Sequence, residues 1–185
     1  MNDFEKKYLL GVGFSNATKE EVLEFIYTGL QKPLKSYYIV TPNPELLILA
    51  HKDKEYKMIL NNAKLALADG IGVLWGVKML GRSLKQRITG VDLTESLCKY
   101  VAKQPITVSF LGGGPGIAEL TSECLRKKYP GLNVSWFSQE YKESLKDKQT
   151  DILFVAFGSP KQEVWISKNI NKLRKEITKC PKGGG

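Results

Sequence analysis

Asp69 is the carboxylate best placed for proton-transfer chemistry. It ends the apolar run Leu65-Ala66-Leu67-Ala68 and is followed by Gly70. A carboxylate held at a strand end and partly desolvated gains proton affinity, which suits a general base acting on a hydroxyl. The same position also suits the N-cap of a helix starting at Ile71. Thr41 and Asn43 offer a hydroxyl and an amide between and beside Pro42 and Pro44. They are fit to hydrogen-bond a sugar, and Asn43 directly before Pro44 is equally fit to cap a helix. Gly112-Gly113-Gly114-Pro115-Gly116 follows an apolar run. It would bring backbone N–H groups to a nucleotide diphosphate at a helix N-terminus, or simply make a tight turn. It has neither the Lys-Ser/Thr of a P-loop nor the G-x-G-x-x-G spacing, so ATP hydrolysis fits poorly.

Two further segments carry polar groups. Arg82 to Asp92 is basic and leads into a helix. Its Arg87 has the planar fork that matches phosphate oxygens, and Asp92 either caps the helix or binds a hydroxyl. A basic loop is equally a solvated face. Gly158-Ser159-Pro160-Lys161-Gln162 closes the set, with Gln162 a candidate hydrogen-bonding group. His51, the one histidine, sits beside Lys52-Asp53-Lys54 as at an exposed helix end, and nothing groups it with a nucleophile. There is no D-x-D sequence and no metal-ligand spacing, so no metal site is expected.

Elements must bring these groups together. Thr18 with Glu21 forms a capping box ahead of a helix through Leu30. Strands are expected at 9–12, 36–41, 65–68, 106–111, 134–137 and 152–157, and helices from Pro44, at 71–80, 92–102, 117–129 and 161–175. Near-continuous apolar strands alternating with helices predict an α/β fold, Rossmann-like, with a mostly parallel sheet and helices on both faces. In such sheets ligands bind beyond the carboxyl ends of the strands, so the polar clusters are expected to share one cleft.

Length and composition set the frame. The 185 residues, 42% hydrophobic and 25% charged, suit one domain over 1–178, with 179–185 as a disordered or engineered tail. No stretch approaches the ~20 apolar residues of a membrane span, and the start lacks a signal peptide's apolar segment. Three cysteines (Cys98, Cys124, Cys180) favour a reduced, cytosolic protein. The net charge is +9, with seven Lys/Arg against two Asp/Glu in residues 161–185. That suits nucleic acid, an anionic membrane surface or plain solvation. Nucleic acid is the weakest of these, because no reader of bases is visible.

Taken in order, Thr41-Pro42-Asn43-Pro44-Glu45-Leu46-Leu47, Ala68-Asp69-Gly70-Ile71-Gly72-Val73 and Arg87-Ile88-Thr89-Gly90-Val91-Asp92-Leu93 resemble one family. So do Leu111 to Gly116, Tyr129-Pro130-Gly131-Leu132 and Gly158-Ser159-Pro160-Lys161-Gln162-Glu163. The sequence is similar to the WecG/TagA/CpsF glycosyltransferases over about residues 8–175. The resemblance implies inverting transfer of N-acetylmannosamine from UDP-N-acetylmannosamine, with no metal or other cofactor. The implied acceptor is the carbon-4 hydroxyl of N-acetylglucosaminyl-diphospho-undecaprenol, as in making the linkage unit of wall teichoic acid. The implied place is the cytoplasmic face of the membrane, as a peripheral protein, with a homo-oligomer open. Asp69 matches the family's proposed base, and Thr41 and Asn43 match polar residues lining its pocket. Arg87, Asp92, Gln162 and Gly112, Gly113 and Gly114 match motif positions around the substrates. Family members usually continue with another strand, a Gly-rich turn and a basic segment, which this sequence is expected to lack. Alternatives are a relative using another UDP-hexose, a non-catalytic nucleotide-binding module, or a dinucleotide oxidoreductase with Glu140 on the ribose.

Overall fold

The computed structural model describes residues 4–31, 36–145 and 148–177, and the side chains within these except those of 174–177. The expected tail, 179–185, lies outside the described residues. The chain opens with an antiparallel hairpin, β1 (Lys6–Leu9) and β2 (Val12–Ser15). The expected strand over 9–12 is instead its turn. Leu10 and Gly11 both take positive φ, 51° and 82°, the two-residue geometry whose twist matches that of the flanking strands. Helix α1 (Lys19–Leu30) starts at the Thr18–Glu21 capping box. β3 (Ile39–Val40) leads to α2 (Pro44–Lys52), then α3 (Lys54–Asn62) and β4 (Leu65–Ala66). α3 is a helix of its own because Asp53 ends α2 and caps the next, its side chain accepting the Tyr56 N–H at 3.0 Å.

The second half follows the expected rhythm closely. α4 (Ile71–Met79) and α5 (Gly90–Val101) precede β5 (Thr107–Gly112), α6 (Ile117–Lys128), β6 (Asn133–Ser138), β7 (Ile152–Ala156) and α7 (Lys161–Ile177). The fold is α/β and Rossmann-like, with parallel pairing in both halves. The strands, however, form two parallel blocks rather than one sheet. β3 pairs with β4, while β5 lies between β6 and β7. One core still joins the blocks: Leu65 and Leu67 pack in the same buried cluster as Val108, Phe110, Leu97 and Val101. A second cluster, with Phe14, Leu47, Leu60 and Val73, ties the hairpin to α2, α3 and α4. The gap between β3 and β7 is therefore not a loose joint. It is a cleft with packed walls.

Candidate active site

The cleft has a volume of about 1890 Å³, larger than the ~300–1,000 Å³ typical of a single small-ligand pocket. Ile39 and Val40 line one side, and Ile152 to Ala156 of β7 line the other. Thr41, Asn43, Asp69, Gly112, Gly113 and Gln162 all border it, as do Gly90, Thr94, Ser159 and Glu163. Six of the nine candidate residues thus meet in one space. Arg87, Asp92 and Gly114 do not border it. Arg87 and Asp92 are exposed, the first in the segment before α5 and the second in its first turn.

The rim nearest β4 is laced by backbone bonds. Leu67 N–H donates to Val40 O at 2.9 Å, Asp69 N–H to Pro42 O at 3.1 Å, and Ile88 N–H to Ala68 O at 2.9 Å. These fix the Asp69 backbone between two neighbouring segments. Its side chain does not cap α4, whose N-cap is Gly70 without any side-chain bond. Asp69 Oδ2 instead accepts the Gly90 N–H at 3.3 Å, at the start of α5. A Cβ built on Gly90 would lie 3.1 Å from Thr41 Oγ1, so the Thr41 hydroxyl packs against the same glycine. Carboxylate and hydroxyl therefore converge on the N-terminus of α5. Asn43 caps α2, its Oδ1 accepting the Leu46 N–H at 3.0 Å; the cap uses the oxygen and not the NH₂ group. The α5 cap is Thr89, which accepts the Asp92 N–H at 3.1 Å, so Asp92 is not the capping residue.

The opposite rim is built differently. Gly112 has φ 103°, and a Cβ there would lie 2.6 Å from Ala156 O, so only glycine fits. Gly113 N–H donates to that same Ala156 O at 2.7 Å, which occupies one N–H of the glycine loop in joining β5 to β7. The loop is thus a turn in part, and Gly114 and Gly116, nearest the N-terminus of α6, lie outside the cleft lining. At the start of α7, Glu163 is buried at 3% exposure. Its Oε1 accepts from Ser159 Oγ at 2.8 Å and from Gln162 Nε2 at 3.0 Å, and Gln162 Nε2 also donates to Ser159 Oγ at 3.1 Å. Beyond it sits the buried Tyr56 hydroxyl. Glu163 Oε2 and Tyr56 Oη have no hydrogen-bond partner of ordinary geometry among the described residues. They are close enough, though, that burial first and the Glu163 charge second hold the Tyr56 phenol well above its usual range.

Glu163 was not anticipated, because an acidic residue in a helix's first turn is ordinarily solvated. Its sequence signals are the serine four positions earlier and its place at the end of the Gly158–Glu163 segment. Glu140, the acid that a dinucleotide site would need, is exposed beyond β6 and does not border the cleft. Four helices, α2, α5, α6 and α7, open onto the cleft through residues at their N-termini: Asn43, Gly90, Ile117 and Gln162. α5, α6 and α7 also line it along their sides, through Leu97, Leu125 and Ile170, while Gly114 and Gly116 before α6 border a separate small hollow. Among the described residues no group of three His, Cys, Asp or Glu could hold a metal ion, and no helix is long and apolar enough to cross a membrane.

Residues 7–183 match the model of the glycosyl transferase WecG/TagA/CpsF family. The chain belongs to this family. A protein of Bacillus spizizenii is 34% identical over 141 residues, which cover 72% of this chain and 55% of that relative. One of Staphylococcus aureus (strain MRSA252) is 30% identical over 179 residues, covering 91% of this chain and 70% of the relative. Both carry the name N-acetylglucosaminyldiphosphoundecaprenol N-acetyl-beta-D-mannosaminyltransferase. The chain thus spans between about half and about two thirds of the length of these curated relatives. The family match joins all six segments that carried the resemblance in one continuous stretch.

Proposed function

We propose that this protein transfers N-acetylmannosamine from UDP-N-acetylmannosamine to the carbon-4 hydroxyl of N-acetylglucosaminyl-diphospho-undecaprenol, with inversion and without a metal. The observation that carries the reading is the meeting of Asp69 and Thr41 at Gly90, in a cleft onto which four helix N-termini open. Asp69 takes the proton of the acceptor hydroxyl as its oxygen bonds to the anomeric carbon. The bond from that carbon to the UDP oxygen breaks, and UDP leaves with the electron pair. Thr41 orients the acceptor or the donor sugar beside the carboxylate. Charge growing on the departing diphosphate is met by the N-termini of α6 and α7 and by the Gln162 side-chain NH₂. The printed names of the relatives support this acceptor class. An acceptor of this kind is lipid-borne, so the reading places the protein peripherally at the inner membrane face, in wall teichoic acid synthesis.

The test is UDP release from UDP-N-acetylmannosamine in the presence of a lipid-diphosphate-N-acetylglucosamine analogue. The reading expects release that needs both substrates, survives chelation of divalent metals and is much slower with UDP-N-acetylglucosamine as donor. Equal turnover of the two donors would assign another hexose transfer. Binding of UDP without any turnover would assign a nucleotide-binding module.

A further inference from the structure

Helix α4 is apolar on both faces, which sets it apart from its neighbours. Val73 and Val77 face inward and are fully buried. A surface helix normally turns charged or polar residues outward. Here the outward stripe at i, i+4 and i+8 is Ile71, Trp75 and Met79, exposed by 64%, 67% and 85%. Leu80 follows at 57%, and Leu10 at the tip of the neighbouring hairpin adds a further exposed apolar group. The hairpin packs on α4 here, with Leu9 against Gly76. Contiguous exposed apolar surface of this kind marks an interaction site.

The charges on and just after the stripe are basic. Lys78 lies on the same face of α4, Arg82 and Arg87 follow in exposed positions, and residues 70–91 contain no Asp or Glu; Lys85, also exposed, is paired with Glu21 of α1 at 2.7 Å. We infer that the α4 stripe is a membrane-docking surface that inserts shallowly into an anionic lipid bilayer. An indole, a thioether and aliphatic side chains enter the headgroup–acyl boundary, while lysines and arginines meet lipid phosphates. A second copy of the chain is the poorer occupant. A two-fold interface through α4 would set the unpaired Lys78 and Arg82 against their own copies. The position has a consequence that rests on the proposed function. Ile71 is two residues beyond Asp69, so docking through α4 brings the catalytic rim to the lipid surface that holds the acceptor.

The test uses the whole chain with vesicles of phosphatidylglycerol and phosphatidylcholine in equal parts, and of phosphatidylcholine alone. Trp75 is the exposed one of three tryptophans, Trp136 being buried and Trp165 half-buried, so it dominates any environmental shift. The expected result is co-sedimentation with the anionic vesicles and a blue shift of tryptophan emission. Trp75→Ser with Met79→Ser is expected to weaken partitioning by about tenfold or more, as loss of two inserted side chains should. Lys78→Gln with Arg82→Gln is expected to weaken it on the anionic vesicles only. Unchanged partitioning of the Trp75/Met79 variant overturns the inference. So does a wild-type dimer that this variant dissociates. Turnover separates the two readings: the variant should match wild type on a water-soluble acceptor analogue and fall behind on a vesicle-embedded one. Absence of turnover in every form counts against the proposed function and leaves the vesicle result to judge the docking surface.

Discussion

The two rims of the cleft are built from different materials. On the β4 side, three backbone hydrogen bonds fix the segment that carries a half-buried carboxylate, and a threonine hydroxyl packs against the glycine that carboxylate bonds. On the β5 and α7 side, the one nearby carboxylate of α7 is buried, and it holds a serine and a glutamine toward the cleft rather than acting on anything itself. On the proposed function the first rim keeps a base ready for a proton. On that same reading the second presents the Gln162 amide and helix N-termini, which suit an anion. A site that must accept a proton and stabilise a departing diphosphate gains from keeping those tasks apart.

The sharpest way to break that division is Asp69→Asn. It keeps an acceptor for the Gly90 N–H and removes the base, so turnover is expected to fall by about 10²–10⁴-fold. UDP affinity by calorimetry should stay within a factor of about two, since the proposed seat of the diphosphate is the other rim. Next in size is Gly112→Ala. The added Cβ meets Ala156 O at 2.6 Å with φ at 103°, so β5 and β7 must separate. A loss of about 1–3 kcal/mol in chemical denaturation is expected, together with weaker UDP binding. Glu163→Ala should act on the second rim alone. Ser159 and Gln162 lose their common acceptor, which is expected to weaken UDP binding by about tenfold while leaving turnover at saturating donor closer to wild type.

The differing legibility of these rims has a physical cause. Asp69, Thr41, Asn43 and the glycine loop were readable because strand ends and turn residues announce themselves locally. Asp69's choice between capping α4 and facing the cleft was not readable, since it depends on Gly90, a neighbour in space 21 positions away. The burial of Glu163 beside Tyr56 was invisible for the same reason: it is made by the packing of α3 against α7, not by any period. The order of elements was largely legible from apolar runs and caps. The split of the strands into two parallel blocks was not, because alternation says which residues face the core and not which edges pair. Arg87 and Asp92 lie in a matching motif yet outside the cleft, so membership in a motif did not fix their distance from the chemistry.

The smallest expected effect refines the second rim. The Tyr56 phenol is held above its usual range by burial and by Glu163. Above pH ~10 the unfolded chain releases this proton while the folded chain retains it, so this group lowers stability as pH rises past the unfolded value. Tyr56→Phe removes no well-formed bond and should leave stability near pH 7 within about 1 kcal/mol of wild type, while flattening the alkaline loss in pH-resolved denaturation. An unchanged alkaline slope would place the titrating groups elsewhere, as at Cys98, whose thiol is pushed up to about 12 by burial and by Glu95.

The division of the cleft is tested most directly by a crystal structure with UDP bound. The account predicts the diphosphate against the N-termini of α6 and α7, within hydrogen-bond reach of Gln162, with open space between its terminal phosphate and the Asp69 carboxylate for two sugars. A diphosphate seated against Asp69, Thr41 and Gly90 instead would contradict it.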